Sequence, residues 1–576
     1  LHHLFFKTTR RKISTFTPTV PIDSAMVTIG QSSAKRIRSS PQVTGQQGIR
    51  KKIILFTLIV VCIPCAFFIQ WILLKKVIIS PSPAEEPAGA AIIERRNPST
   101  VNDPKSLEDL FSNYGSDKGK DDHKYSDFYQ MIFNPIRLDV TSFVEIGVDE
   151  GRSLQAWHEF FPNAKFVGID STKKTKSLDK IQKLFPRISF LREDILTVDA
   201  GRLESLGLKQ ESVNIVVDAI GPITSLGTSE ETIAKMFGLV KPGGYYIIEG
   251  VGLNKRESID TYAWVFDTEN LMESSKSILY ANDVVFVDSL VGHHAWEARK
   301  NEHDSHNSNL VVIRKRMEPP RPIQINLRRV AMKEDTGMNF DEPQENTLPA
   351  VTLEALMYKY GSDKSKDDHK YTDLYQMLFD PIRERVQTVL EVGVAAGQSM
   401  QAWHGYFRNA TILGIDITRP KTMAKIEDMY PRVKFRQGNM KNPFLDLAFL
   451  DLRKESMDIV IDDADHQLPT SEAILANLFD VVKPGGFYII EDVGLNGGRT
   501  LTYSWVHAPE NLTKTSRDIL MNHDAVFVDS HIGHRDWKKM LRLFGTDHAR
   551  DHRFHNSHLI VIRKREKTIS MNDGEE

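Results

Sequence analysis

Acidic residues and one histidine follow an apolar stretch in the last third of the sequence. The β-branched residues 459–461 lead directly into three acids and an imidazole: Asp462, Asp463, Asp465 and His466. Such a pattern predicts a buried parallel strand that ends where its side chains reach solvent. A second apolar stretch, 486–490, ends in Glu491 and Asp492. Because open α/β sheets bind ligands at the carboxyl ends of their strands, we expect these groups at one edge. The alternative is a solvated acidic loop.

A glycine-containing motif follows an earlier apolar stretch: Glu391-Val-Gly393-Val-Ala-Ala-Gly397. Glycines at a strand end let the backbone approach a ligand closely, beside a helix N-terminus. The spacing differs from the dinucleotide fingerprint and is the one that S-adenosylmethionine methyltransferases place against the amino-acid end of the cofactor. The next predicted strand ends in Asp416, which could accept the ribose hydroxyls. A Lys483-Pro-Gly-Gly turn before the strand that ends in Glu491 adds to this pattern, which favours a methyltransferase over a dehydrogenase.

Short Val/Ile-rich stretches alternate with helical stretches around these motifs. The predicted strands are Thr388–Val394, Thr411–Asp416, Val433–Gln437, Asp458–Asp462, Gly486–Glu491, Ala525–Val528 and Leu559–Arg563. Alternating β and α elements predict an α/β fold, a parallel Rossmann-like sheet covered by helices on both faces. Residues 358–375, rich in charges and aromatics, are either a lid over a cofactor or an amphipathic helix that caps the sheet.

An internal repeat divides most of the chain into two copies. Residues 113–137 and 359–383 match at 19 of 25 positions, and further matches continue to the two Arg-Lys endings. We therefore predict two tandem class I methyltransferase-like domains, 106–316 and 351–566. A Pro-containing linker, 317–350, separates them. Residues 567–576 form a tail.

The first copy lacks several of the candidate catalytic residues. Ala219 stands in the place of Asp463, Pro222 in the place of His466, and Gly250 in the place of Asp492. The glycine motif and the acid of the next strand are kept: Glu145, Gly147, Gly151 and Asp170. The first copy is thus expected to be a degenerate fold without this catalysis.

The second copy resembles the metal-dependent sugar O-methyltransferases of macrolide biosynthesis, the macrocin and mycinamicin type. The resemblance covers nearly all of residues 353–565. It rests on these segments: Tyr360-Gly-Ser-Asp-Lys, His369-Lys-Tyr371, Glu391-Val-Gly-Val, Trp403 with Phe407, Asp463-Ala-Asp-His466 and Glu491-Asp492. Ser362 replaces the threonine of the family's first segment.

The resemblance implies the roles of individual residues. The metal ligands would be Asp463, Glu491 and Asp492, and the base would be His466. S-adenosylmethionine would be bound by Asp363, Glu391, Gly393, Gly397, Asp416, Asn439 and Asp462. Asn439 stands where many methyltransferases have an acid near the adenine, so this sequence departs from the family there.

The chemistry of these residues agrees with the implied roles. Three carboxylates and no thiol suit a hard, oxygen-preferring ion, Mg²⁺ or Mn²⁺ rather than Zn²⁺. A divalent ion lowers the pKa of a coordinated hydroxyl, and a nearby imidazole can remove the proton. The alternative for His466 is an ordinary surface histidine. A zinc site is a further alternative for the histidines near the C-terminus: His531, His534, His552, His555 and His558.

The N-terminal region predicts membrane attachment. Residues 1–52 form a basic tail expected to be disordered. Residues 53–74 are apolar and long enough for a transmembrane helix, and residues 75–105 form a Pro-rich stalk. The excess of basic residues on the N-terminal side predicts a type II orientation in the secretory pathway, with the Golgi as the expected compartment. A cleaved signal peptide, a mitochondrial address and a cytosol-facing membrane protein are the alternatives.

Composition narrows the function further. The chain has 576 residues, 41% hydrophobic and 26% charged, with a net charge of −2, so nothing indicates nucleic-acid binding. The expected partners are a sugar or glycan acceptor and the membrane, and a homo-oligomer is possible. Two functions stay open: a membrane-anchored O-methyltransferase for a sugar, glycan or glycosylated metabolite, and a non-catalytic scaffold built on two methyltransferase folds.

Overall fold

Strands and helices alternate along the chain in the computed structural model. The model describes residues 105–171, 175–220, 225–251, 253–254, 259–260, 263–266, 270–293, 308–317, 351–442, 447–493, 504–532 and 557–566. The predicted N-terminal tail, transmembrane helix 53–74 and C-terminal tail lie outside these residues, as do the stalk and linker apart from residues 105 and 317. No helix in the described part of the chain is long and apolar enough to cross a membrane.

We call residues 105–317 the first half and residues 351–566 the second half. The strands of the first half are β1 Ser142–Ile146, β2 Lys165–Ile169, β3 Ile188–Leu191, β4 Val213–Asp218, β5 Val240–Glu249, β6 Leu253–Asn254, β7 Ile259–Asp260, β8 Asp283–Asp288 and β9 Asn309–Arg314. Its helices are α1 Leu107–Tyr114, α2 Tyr125–Phe133, α3 Arg152–Phe160, α4 Thr175–Leu184, α5 Ala200–Ser205, α6 Leu226–Met236, α7 Ala263–Phe266 and α8 Glu273–Ala281.

The second half repeats this order of elements. Its strands are β10 Thr388–Val392, β11 Thr411–Asp416, β12 Val433–Gln437, β13 Met457–Asp462, β14 Val482–Ile490, β15 Asp524–Asp529 and β16 His558–Arg563. Its helices are α9 Leu353–Tyr360, α10 Tyr371–Phe379, α11 Gln398–Tyr406, α12 Met423–Met429, α13 Leu468–Leu478, α14 Ser504–His507 and α15 Lys514–Asn522.

Fourteen of these strands form one continuous sheet. Its order is β12-β11-β10-β13-β14-β16-β15-β8-β9-β5-β4-β1-β2-β3. The two halves have the same strand order, each counted from its own outer edge to the centre of the sheet. The halves meet at the antiparallel pair of β15 and β8, where Val528 lies opposite Val287. Strands β6 and β7 form a separate two-stranded sheet.

The sheet is mixed rather than wholly parallel, which corrects the prediction from the alternating elements. Strands β10 to β14 pair in parallel, but β16 runs antiparallel between β14 and β15. The direction of β16 relative to β14 is a property that strand periodicity alone cannot reveal.

The segment Lys483-Pro-Gly-Gly486 is predicted as a turn before a strand, but it lies within β14. Val482 already pairs with Met457, and Phe487 pairs with Ile459, so four residues of β14 lie opposite one residue of β13. The segment is therefore an irregularity inside the strand, where Gly485 adopts a φ of +79°.

A hydrophobic core lies on each face of the sheet. On one face a single cluster contains residues of both halves, including Trp157 of α3 and Trp403 of α11, both fully buried. On the other face there are two clusters, one for each half, except that Val291 of the first half belongs to the cluster of the second and Ile532 of the second half to that of the first. The stretch 358–375 belongs to the shared face, because Tyr371 and Tyr375 of α10 are fully buried in it. This packing corresponds to the capping alternative rather than to a lid.

Candidate functional site

The candidate site lies where three neighbouring strands of the second half end. In register, Asp462 at the end of β13 pairs with Val392 of β10 and Ile490 of β14. The residues directly beyond these positions are Gly393, Asp463 and Glu491. The parallel alignment thus brings the glycine motif and both acidic segments to one edge, as the sequence predicts.

Asp463, His466 and Asp492 form the centre of the site. One ligand atom from each lies within 4.8 Å of the others, the separation a shared metal ion requires. The Nε2 atom of His466 is 3.9 Å from Oδ1 of Asp463 and 3.5 Å from Oδ2 of Asp492. Both His466 and Asp492 have positive φ angles, +54° and +57°. Non-glycine residues held in this region are concentrated at functional sites, because the surrounding structure must hold them there.

A buried lysine lies among the carboxylates of the site. The Nζ atom of Lys364 donates to Oδ2 of Asp463 at 2.6 Å and also to Glu491. It lies 3.6 Å from Oε1 of Glu391. Burial by itself lowers the pKa of Lys364, but the three facing carboxylates outweigh burial and raise it well above its ordinary value. The facing carboxylates thus favour the charged form of Lys364.

Two tyrosines of α10 hold the acids that follow β14. Tyr375 donates to Glu491, and Tyr371, one helical turn earlier, donates to Asp492. The backbone N–H of Asp492 in turn donates to the Tyr371 hydroxyl at 3.1 Å. His369, in the loop before α10, places Nδ1 3.5 Å from Oδ1 of Asp492.

Negative charge exceeds positive charge in this site. Three carboxylates, Glu391, Asp463 and Glu491, contact the ammonium of Lys364, and a fourth, Asp492, lies 3.5 Å from Nε2 of His466. Burial raises the pKa of Glu391 to about 7, against the lowering effect of Lys364. Burial also raises the pKa of Asp463. Since close, buried carboxylates resist ionisation together, a divalent cation between Asp463 and Asp492 would relieve their repulsion. The donor set fits a hard cation.

The glycine motif has the geometry of a site for close backbone approach. Gly393 has a φ of +85°, and a Cβ atom on it would lie 2.1 Å from the carbonyl oxygen of Asp463. Gly397, with a φ of +81°, begins α11. Glu391 lies beneath this turn and accepts from Ser399 at 2.8 Å, while its buried Oε1 has no hydrogen-bond partner among the described residues. A buried acceptor without a hydrogen bond at this point fits the amino group of an amino-acid-like cofactor.

Asp416 is the last residue of β11, as predicted. Two other predicted cofactor contacts, Asp363 and Asn439, are exposed. The carboxylate oxygens of Asp416 accept from the backbone N–H groups of Val394 and Thr418, both at 3.1 Å. Oδ1 of Asn439 accepts from Lys441 N–H, also at 3.1 Å. Asp363 lies next to Lys364.

Asp462 is buried beneath this edge of the sheet. Burial, together with the neighbouring Asp463 carboxylate, raises its pKa to about 8. Tyr488 donates to it at 3.4 Å. Its partners are therefore residues of the sheet.

The structure brings together Asp463, Asp492 and His466 from the predicted set, and it places Glu491 beside them, bonded to Lys364 and Tyr375. Sequence reasoning gave no role to Lys364, Tyr371 or Tyr375. A signal was present, since Lys118 and Lys364 occupy matching positions in both halves, as do the two glutamates that each of them contacts. Of the histidines considered for zinc, His534, His552 and His555 lie outside the described residues. His558 is buried, with Nδ1 3.0 Å from the Val493 carbonyl oxygen.

The equivalent edge of the first half keeps the lysine and loses the central group. Lys118 contacts Glu249 and lies 3.5 Å from Glu145, just as Lys364 contacts Glu491 and Glu391. Ala219 and Gly250 occupy the positions of Asp463 and Asp492. Pro222, in the place of His466, lies outside the described residues. The lysine and its two glutamates are thus common to both halves, whereas the central carboxylates belong to the second half.

Comparison with known proteins places the site in a methyltransferase domain. Residues 384–545 match the family model described as a methyltransferase domain. This range contains the glycine motif and all three residues at the centre of the site.

Curated relatives align with about a quarter of the chain. An 8-demethyl-8-alpha-L-rhamnosyl tetracenomycin-C 2'-O-methyltransferase of Streptomyces olivaceus is 34% identical over 150 residues, covering 24% of this chain and 37% of that protein. The mycinamicin VI 2''-O-methyltransferase of Micromonospora griseorubida is 32% identical over 151 residues, covering 24% of this chain and 36% of that protein. The aligned region thus spans little more than a third of these relatives.

Among solved structures, a methyltransferase from the mycinamycin biosynthetic pathway in complex with Mg and SAH is 23% identical, covering 39% of this chain and 58% of that chain. Its TM-score of 0.25 is too low to carry an argument. Residues 384–545 thus match a methyltransferase domain model, and the relatives named above are O-methyltransferases.

Proposed function

We propose that this chain is an S-adenosylmethionine-dependent, Mg²⁺- or Mn²⁺-dependent O-methyltransferase whose catalysis takes place in the second half. The observation that carries the proposal is the grouping of Asp463, His466 and Asp492 beside the glycine motif of a methyltransferase domain. These residues offer two hard oxygen ligands and one imidazole at the edge of the sheet where a cofactor would lie.

The cofactor would be held by the glycine motif and the neighbouring strand end. S-adenosylmethionine, when bound, supplies an electrophilic methyl group on a sulfonium. The positive φ angles of Gly393 and Gly397 shape the turn that would face its amino-acid end. Oε1 of Glu391, which has no hydrogen-bond partner among the described residues, can accept from its amino group. Asp416 stands at the end of β11 for the ribose. Asp363, Asn439 and Asp462 stay predictions as cofactor contacts.

The metal would be held by Asp463 and Asp492. A divalent ion, when bound, lowers the pKa of a coordinated hydroxyl and helps to orient it. Glu491, the third predicted ligand, would have to exchange its bond to Lys364 for the ion. His466 then acts as the base, and Nε2 takes the proton of the acceptor hydroxyl as the methyl group is transferred.

The acceptor would be a hydroxyl of a sugar, a glycan or a glycosylated metabolite. The names of the relatives support this class, because they methylate a rhamnosyl tetracenomycin and mycinamicin VI. We further propose that the first half is a degenerate second copy of the same fold. It would not transfer methyl groups, since Ala219 and Gly250 offer no ligands.

Transfer of labelled methyl groups tests the proposal. The full chain, incubated with labelled S-adenosylmethionine and a panel of glycans and glycosides, should label at least one acceptor. EDTA should stop this reaction and Mg²⁺ or Mn²⁺ should restore it. Transfer that continues under exhaustive chelation would show that the carboxylates serve the fold or hold the acceptor without a metal.

A non-catalytic binding or scaffold protein is the second candidate. The observation that favours it is Lys364, whose ammonium already occupies the space between Glu391, Asp463 and Glu491. A chain that binds S-adenosylhomocysteine and a glycan, yet labels nothing on the panel, would support this candidate.

We also propose a single-pass type II membrane protein of the secretory pathway, on the basis of the apolar residues 53–74 and the flanking charges. Protease treatment of sealed microsomes tests the orientation. Digestion of the second half without detergent would show that it faces the cytosol, and the acceptor would then be a cytosolic small molecule.

A further inference from the structure

The loop and helix that carry site residues in the second half are docked on a strand of the first half. Helix α10 packs against β8, where the backbone N–H of Val284 donates to Oδ2 of Asp373 at 2.9 Å. Lys370, at the start of α10, donates to the Val284 carbonyl oxygen at 3.2 Å. These bonds attach the beginning of α10 to the first residues of β8.

Asp283, the first residue of β8, is the centre of a buried ion cluster at this junction. Its Oδ1 accepts from Lys366 of the second half at 2.9 Å and from Arg316 of the first half at 2.8 Å. Asp373 completes the cluster, with Oδ1 2.8 Å from the Lys366 Nζ atom. Asp283 and Asp373 are almost completely buried.

The residue bonded to Asp283 belongs to the same short segment as the site residues. Lys366 lies two positions after Lys364, which contacts Asp463 and Glu491. The segment continues through His369 to Tyr371, both of which contact Asp492. The position of the segment 362–373 thus decides where three groups that face the metal-site carboxylates lie.

We propose that Asp283 of the first half is a positioning residue for the candidate metal site of the second half. It fixes Lys366, and through it the segment that places Lys364, His369 and Tyr371 against Asp463, Glu491 and Asp492. The first half, though it lacks the central carboxylates, then has a definite role in the site. The consequence for metal binding rests on the proposed function, whereas the placement of the segment does not.

The chain provides its own control at an equivalent junction, where Asp524 is linked to the segment 116–127 through Arg565, which lies 3.3 Å from Asp127. Asp524 begins β15 of the second half and pairs with Arg565 at 2.6 Å. There the backbone N–H of Ala525 donates to Asp127 of α2 at 2.9 Å, and Lys124 donates to the Ala525 carbonyl oxygen at 2.8 Å. This second junction anchors the segment 116–127, which serves the half without the central carboxylates.

The test compares Asp283→Asn with Asp524→Asn in the full chain. Mn²⁺ binding is measured by the paramagnetic signal of the free ion, and backbone placement by hydrogen exchange with mass spectrometry. We expect Asp283→Asn to weaken Mn²⁺ binding about 10- to 100-fold, as loss of groups that orient metal ligands does. Asp283→Asn should also speed hydrogen exchange of the backbone amides in segment 362–373. Asp524→Asn should instead speed exchange in segment 116–127 and leave the Mn²⁺ affinity unchanged.

A second variant keeps the test decisive if Asp283→Asn does not fold. Lys366→Met removes the same ion pair from the other side, together with the contact of Lys366 with Asp373, and should also weaken Mn²⁺ binding. Where both fold, the double variant should lose less Mn²⁺ affinity than the sum of the two single losses, because both changes remove the ion pair of Asp283 with Lys366.

Three results would overturn the inference. They are an unchanged exchange rate in segment 362–373 of Asp283→Asn, equal effects of both aspartate substitutions on Mn²⁺ binding, and full additivity of Asp283→Asn with Lys366→Met. If the unaltered chain binds no Mn²⁺, the proposed function is wrong, and the exchange data alone then decide whether Asp283 positions the segment.

Discussion

The ammonium group of Lys364 lies 2.6 Å from Oδ2 of Asp463, a carboxylate that also belongs to the candidate metal site. A side-chain cation and a metal ion would thus share one ligand. In the first half Lys118 has no such contact, because Ala219 replaces the aspartate. Each lysine therefore contacts the two equivalent glutamates of its own half. Lys364 differs in having a third carboxylate partner, Asp463.

Substitution Lys364→Met should destabilise the chain and make its stability depend on added metal. Removing one partner from a buried ion pair costs about 3–5 kcal/mol because the remaining charges are unpaired. Mn²⁺ can then compensate, since a ligand that binds the folded state raises the melting temperature. Lys118→Met is the control, and it should lower the melting temperature without any recovery in Mn²⁺. Equal recovery of both variants would show that Mn²⁺ acts elsewhere.

Replacement of either central carboxylate should abolish methyl transfer. Asp463→Asn and Asp492→Asn each remove a hard ligand, so activity should fall to background and Mn²⁺ binding should be lost. Asp465→Asn is the control, because Asp465 is exposed and bonded to Lys441 and Thr470. Methyl transfer that survives Asp463→Asn would assign catalysis to another site.

His466→Gln separates the roles of base and ligand. As a base, His466 contributes about 10²- to 10⁴-fold to the rate, so the variant should lose that much activity and keep its Mn²⁺ affinity. His404→Gln should change neither quantity, because His404 faces Tyr430 at a ring distance of 5.0 Å. A fall in Mn²⁺ affinity of His466→Gln would instead make His466 a metal ligand.

Asp218 of the first half should make the stability of the chain depend on pH. Burial raises its pKa from 3.8 to about 6, despite the hydrogen bond from Tyr246 at 2.9 Å. Between these values the folded state binds a proton that the unfolded state has released, so stability falls as pH rises from about 4 to about 6. The loss is on the order of 3 kcal/mol.

Asp218→Asn should reduce this pH dependence by that amount, because the amide is neutral and can still bond to Tyr246. Glu391 and Asp462, whose pKa values burial also raises, keep their own contributions. The midpoint of urea unfolding, measured from pH 4 to pH 7, checks this expectation. The exposed Asp139 provides the control variant, Asp139→Asn, whose pH dependence should match that of the unaltered chain. A fall in stability between pH 4 and pH 6 that is undiminished in Asp218→Asn would mean that Asp218 does not contribute to it.

Local sequence patterns predict the strands of the second half well, because a buried parallel strand requires a short run of apolar residues. Thr411–Asp416 and Val433–Gln437 coincide with the observed strands. The placement of Asp463 and Glu491 at one sheet edge also follows from the pattern of strand ends.

The contacts of Lys364 do not follow from local pattern. Lys364 is separated from Asp463 by 99 positions and from Glu491 by 127, and only the packing of α10 on the sheet brings them together. For the same reason the sequence does not distinguish Glu491, which bonds to Lys364, from Asp492, which faces His466. The pairing of β15 with β8 joins the sheet edges of the two halves. The residues of neither strand specify which edge it will pair with.

The pairing of β15 with β8 also determines what would happen if the halves were separated. Each strand would become an edge strand, with unpaired backbone groups along a flat apolar segment such as 525–528. Such edges readily pair with other chains, and neither β15 nor β8 carries a proline or lysine that would discourage this. Expressed alone, the second half would therefore tend to aggregate. The first half protects it against self-association, and this protection would be needed even in a chain whose first half binds nothing.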